Sequence, residues 1–195
     1  MSVSEEQLDA YILIDHVDPG RRIRDVLREM FDQNPDTVRF TAQVTGPFIG
    51  FAAVLVPGLE QAHDLANGAF WDAGVRCETL IVVRPSSLRI PKRGSPDVCA
   101  LVRARSEDPD AALDALDDRF GPRQEEQMEL PYEERTFNYG AAIVTGRYDL
   151  LIDVGTPTFA QTRDLVKNEV RTVAGIDRTV TMFAHLPGNA RRREL

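Results

Sequence analysis

Residues 145–153, TGRYDLLID, set a Thr-Gly turn, an aromatic ring and two carboxylates into a stretch that otherwise alternates like a buried strand. Those residue types suit the capture of a small zwitterion such as a free amino acid. Backbone N–H groups at Thr145 and Gly146 can donate to a carboxylate, Asp149 can accept from an ammonium, and Tyr148 can wall the pocket. The plainer reading of Asp149 is a carboxylate that hydrogen-bonds its own turn. Asp153 stands in the following strand, placed to pair with an arginine. The remaining chemistry-bearing residues are scattered. His16, His63 and His185 lack metal-ligand spacing. Cys77 and Cys99 lack the C-x-x-C spacing of a redox or metal centre and read as buried thiols in a reducing cytosol. There is no Gly-rich phosphate loop, nucleophile elbow or carboxylate pair at catalytic spacing. The sequence therefore predicts no catalytic residue, metal or cofactor.

The elements that must position this stretch follow from a chain of 195 residues with 43% hydrophobic content, enough for one large or two small cores. A formal net charge of -8 argues against direct binding to nucleic acid, which needs a clustered positive field. The acidic start MSVSEEQLDA and the lack of a long apolar run predict a cytoplasmic protein without membrane contact. Arg191, Arg192 and Arg193 read as a solvated basic tail.

Positions 42–65 can be laid over 142–165 without a gap, matching Val44 with Val144, Thr45 with Thr145, Gly46 with Gly146, Val54 with Val154, Pro57 with Pro157, Gln61 with Gln161 and Asp64 with Asp164. The chain is thus two copies of one supersecondary unit. In the first, AYILIDHV is a strand, and Ile23, Val26, Leu27, Met30 and Phe31 fall at helical spacing. VRFTAQV and GFAAVLV flank a Thr-Gly-Pro turn, a second helix carries Leu59, Ala62, Ala66, Ala69 and Phe70 to Gly74, and VRCETLIVV closes the unit. In the second, VCALVRAR is a strand, and Asp108-Pro109 starts a helix that Gly121-Pro122 stops. PRQEEQMELPYEER reads as an exposed insertion. A hairpin, a helix opened by a Thr158/Gln161 capping box and a final strand, IDRTVTMFA, follow. In the turn of the first copy Ile49 replaces Asp149 and Pro47 removes a donor, so that copy reads as degenerate.

Strand, helix, strand, strand, helix, strand, twice over, predicts an α+β chain of two tandem ferredoxin-like domains at 10–84 and 97–186. Helices cover one face of each antiparallel sheet. The other face is too apolar for water, with Val180 and Met182 on one side of the last strand and Thr179, Thr181 and Phe183 on the other. The two sheets are expected to pack face to face as in a dimeric α/β-barrel, or chains to share that contact as a homo-oligomer.

VTGRYDLLIDVGTPTF, a helix, and GIDRTVTMF together resemble the ligand-binding domain of the Lrp/AsnC (feast/famine) regulators, closely over 97–186 and more weakly over 10–84. The resemblance implies a domain that pairs through its sheets, oligomerises and binds an amino-acid effector between domains. It also adds Thr179 and Thr181 on the last strand to the ligand-contacting set. About ten residues precede the first strand, too few for the helix-turn-helix of such regulators. The implied protein is a non-enzymatic effector binder of transcription regulation, with a DNA-binding regulator as its partner. Two alternatives stay open. One is an α/β-barrel enzyme of haem or oxidative chemistry; the other is a pure oligomerisation module that docks on a full-length regulator.

Overall fold

A computed structural model describes residues 8–65, 74–86, 98–131, 134–185 and 190–192. The chain is α+β with antiparallel strands and divides into two compact units, residues 1–82 with 188–194 and residues 83–187.

In the first unit β1 (Leu8–Val17) leads to α1 (Ile23–Gln33), β2 (Val38–Gln43), β3 (Gly50–Val56), α2 (Leu59–Asp64) and β4 (Val75–Pro85), whose last residues already belong to the second unit. β1 lies between β3 and β4, and β2 borders β3. Val26, Leu27, Met30 and Phe31 of α1 pack on Ala10, Ile12 and Ile14 of β1 and Ala52, Val54 and Val56 of β3, as their spacing predicts. The approach of α1 depends on Gly50: a Cβ there would stand 2.8 Å from Ile23 Cδ1. The predicted continuation of α2 through Ala66, Ala69 and Phe70 lies outside the described residues.

The second unit repeats the order with β5 (Val98–Arg105), α3 (Pro109–Glu129), β6 (Asn138–Val144), β7 (Leu150–Thr156), α4 (Phe159–Asn168) and β8 (Arg178–His185). β5 lies between β7 and β8, and β6 borders β7. Asp108 caps α3 by accepting from Ala111 N at 3.1 Å, and Thr158 caps α4 by accepting from Gln161 N at 3.3 Å, both as expected. α4 gives way to a short 3-10 turn, Val170–Thr172, which carries Val170 into the core.

Two expectations are corrected here. Gly121-Pro122 does not stop α3, which runs on to Glu129, so PRQEEQME is helix rather than exposed insertion. Proline forfeits one intrahelical hydrogen bond, and contacts beyond it hold the helix. Gln124, fully buried, accepts from Tyr139 N at 2.8 Å, and Gln127 accepts from Phe137 N at 3.1 Å. The two glutamines, three apart and so on one helical face, dock the end of α3 on the start of β6. The basic tail is not simply solvated: β9 (Ala190–Arg192) pairs antiparallel with β2, Thr41 opposite Arg191, and extends the sheet of the first unit.

Candidate functional site

In the second unit α3 and α4 cover one face of the sheet. Ala100, Val102 and Ala104 of β5, Tyr139 and Ala141 of β6, and Leu150, Ile152 and Val154 of β7 point to the helices. Strand alternation sends their neighbours to the far face: Cys99, Leu101 and Arg103, Asn138 and Gly140, and Leu151, Asp153 and Gly155. That far face is buried as well, and most of it is small or apolar.

Three side chains break the apolar rule. Arg103 is 3% exposed, and its guanidinium carbon lies 4.4 Å from the centre of the Tyr148 ring, a cation–π geometry in a desolvated setting. Asp153 is half-buried and accepts from Asn138 Nδ2 at 3.2 Å. Asn138 is fully buried, and its Oδ1 has no hydrogen-bond partner among the described residues. A buried carbonyl without a donor costs about 1–3 kcal/mol, so this atom marks a place for an incoming N–H or O–H. The register sets the cluster. Arg103 is opposite Leu151 and so diagonal to Asp153, while Gly140 sits directly across from Asp153 and Gly155 across from Asn138. Those glycines leave the flanks of both polar groups without side-chain bulk.

The predicted residues occupy a different place. Asp149 Oδ2 accepts from Ser106 N at 3.0 Å, tying the β6–β7 turn to the loop that enters α3. Its own N–H donates to Ala104 O at 3.0 Å, and its carbonyl receives Val144 N at 2.9 Å. Gly146 adopts a positive φ of 119°, which the turn requires. Thr145 is exposed and Tyr148 half-buried beside Arg103 and Arg105. Thr179 and Thr181 pair with Ala104 and Val102 on β5 and therefore point to the helix-covered face. The turn residues and the two threonines thus lie two strands apart, about 10 Å across the sheet, and Tyr148 and the threonines turn to opposite faces. The structure does not gather the six into one site. Arg103 and Asn138 were missed, and only Asp153 was noted. The available signal was an arginine and an asparagine at the second-face positions of strands that otherwise read as core.

A cleft of about 510 Å³ opens elsewhere on this unit, between α3 and α4, lined by Arg123, Thr136, Gln161, Asp164, Asn168 and Glu169 among others. Its polar groups are largely exposed. Among the described residues no cluster of three or more His, Cys, Asp or Glu could hold a metal ion, and no helix is long and apolar enough to cross a membrane.

No known protein-family profile matches the sequence, and no curated protein matches it. Solved structures do. A monooxygenase candidate from Lactobacillus acidophilus NCFM is 8% identical, with a TM-score of 0.55 over 91% of this chain and 92% of its own. An arginine-to-glutamate variant of chlorite dismutase from Candidatus Nitrospira defluvii is 10% identical, with a TM-score of 0.58 over 94% and 92%. A tryptophan-to-phenylalanine variant of the same enzyme, bound to cyanide, is 12% identical, with a TM-score of 0.57 over 95% and 92%. At such identities the likeness shows the fold. It also corrects the expectation of a non-enzymatic, amino-acid-binding protein of transcription regulation, because similarity over nearly the whole chain runs to proteins named for oxidative chemistry. The same element order serves both classes of protein, so the order by itself could not separate them.

Proposed function

We propose that the chain is an enzyme of oxidative chemistry built from two tandem ferredoxin-like units, with its reactive site on the far sheet face of the second. The identical strand order of the two units supports the tandem reading, and the named functions of the structural neighbours support the reaction class. The observation that carries the site is the buried Asn138 Oδ1 beside Asp153 and Arg103.

This set suits an organic substrate with an acidic CH2 or O–H next to a carbonyl or aromatic ring. Asn138 Oδ1 accepts a substrate hydroxyl or amide hydrogen. Asp153 takes the acidic proton as general base, and Arg103 balances the resulting oxyanion in a desolvated setting. Tyr148 packs against the guanidinium and fixes it. The electron-rich anion then reduces dioxygen. For an activated CH2 group one oxygen atom becomes the new carbonyl and the other leaves as water, so that CH2 plus O2 gives C=O plus H2O; for a hydroquinone two electrons and two protons pass to O2, giving the quinone and H2O2.

The test is dioxygen uptake by the purified protein over a panel of phenols, hydroquinones and 1,3-dicarbonyl compounds. The expected result is uptake with at least one of them. Asp153→Asn should lower kcat by about 100-fold or more, the usual reach of a lost general base, and Arg103→Gln should raise KM. Absence of uptake across the panel overturns the reading.

A further inference from the structure

The fold likeness raises haem as the natural agent of oxidative chemistry, and the residues present can be tested against it. A haem iron needs an axial histidine, thiolate, methionine or tyrosinate inside a slot that admits the macrocycle. Among the described side chains His16 and His63 are both exposed and belong to the first unit; the side chain of His185 lies outside them. Cys77 is half-buried and likewise belongs to the first unit; desolvation, helped by the neighbouring Asp15 charge, pushes its thiol up to about 11. Tyr139 is fully buried; burial, reinforced by the hydrogen bond from its hydroxyl to Asp117 Oδ1 at 2.7 Å, raises its phenol well above the usual range and keeps it neutral.

The space is filled too. Between the second unit's sheet and its helices, Leu113, Leu116, Phe120, Leu150, Ile152 and Leu165 are each 4% exposed or less. Phe120 meets the ring of Tyr139 at 5.2 Å and that of Phe137 at 6.3 Å, packing α3 onto the start of β6 within that layer. Ligand sites of this kind occupy roughly 300–1,000 Å³. The α3–α4 cleft has the volume, but Arg123, Thr136, Gln161, Asp164, Asn168 and Glu169 offer iron no nitrogen or sulfur ligand of the haem-binding kinds.

Cys99 and Met182, both buried, face the far side of the sheet rather than this layer. We infer that this chain carries the architecture of the chlorite dismutase-like structures with the layer between the second unit's sheet and helices closed to haem. This inference rests on the oxidative reading above only for its interest, since haem binding is measured apart from turnover. The experiment is titration of hemin into the full chain, both purified and expressed with a haem precursor in the medium. It is read by visible absorption and by melting temperature, with albumin added as a competitor. Expected is no saturable Soret band and no rise in melting temperature; a band that albumin strips away is surface adsorption and agrees with this. A band that saturates at one haem per chain, resists albumin and disappears in His185→Ala would overturn the inference, as would the same resistant band surviving in that variant. Loss of dioxygen uptake without any haem signal would remove the oxidative reading alone.

Discussion

Single side chains carry opposite lessons at Asp149 and Asp153. Both are carboxylates near the same hairpin, yet one braces backbone and the other stands with an unsatisfied amide on a buried sheet face. Asp149→Ala should cost about 1–3 kcal/mol, since it leaves Ser106 N–H without its acceptor, and Asp149→Asn should recover part of that. Urea denaturation of the three proteins checks it, and unchanged stability would show that the loop tie contributes nothing. Cys77 gives a pH prediction. Its thiol ionises near 9.0 when unfolded and near 11 in the fold, so the folded state favours the protonated form. That contribution is complete below pH 9 and is lost as pH rises toward 11. Melting temperature should therefore fall faster over that window in the wild type than in Cys77→Ala. Asp149 was conspicuous in the sequence because it interrupts a turn. Arg103 and Asn138 were not, because a polar side chain inside VCALVRAR or FNYG gains meaning only when strand register places both beside Asp153.

Elements were legible wherever local signals agreed with packing. The 3.6-residue spacing of α1 and the caps of α3 and α4 appear where their residue types require. Pro122 is the instructive failure. Proline and glycine stop an isolated helix, but two glutamine side chains beyond them accept backbone N–H groups of the adjoining strand, a long-range gain that no local rule registers. Two opposite outcomes follow. Pro122→Ala should stabilise the second unit by about 1–3 kcal/mol, because a helix-interior proline is that unfavourable. Gln124→Ala should destabilise it by about 1–3 kcal/mol through the orphaned Tyr139 N–H. Thermal unfolding of both variants decides the matter; a destabilised Pro122→Ala would mean that the kink itself is required. Gly50→Ala should also destabilise, because Ile23 would have to retreat from the new methyl group.

At the scale of the molecule the α+β class and the order strand, helix, strand, strand, helix, strand were readable, because the sequence match between 42–65 and 142–165 lets one reading serve both stretches. That match could not make the chemistry readable, because the hairpin motif resembles a regulator's while the chain's fold is shared with solved structures named as a monooxygenase candidate and a chlorite dismutase. The C-terminal strand was invisible for a simpler reason: three residues rich in arginine give no strand signal until an edge accepts them. Removing residues 188–195 should lower the melting temperature of the first unit and expose the β2 edge, raising the tendency to self-associate. Size-exclusion chromatography at increasing concentration reads this, and a truncated chain that stays monomeric with an unchanged melt would contradict it. That strand has a temporal consequence during synthesis. The half of the protein made first borrows its closing piece from the stretch made after the other half is finished, so on the ribosome the earlier body must wait, with one border unsealed, while more than a hundred further residues emerge.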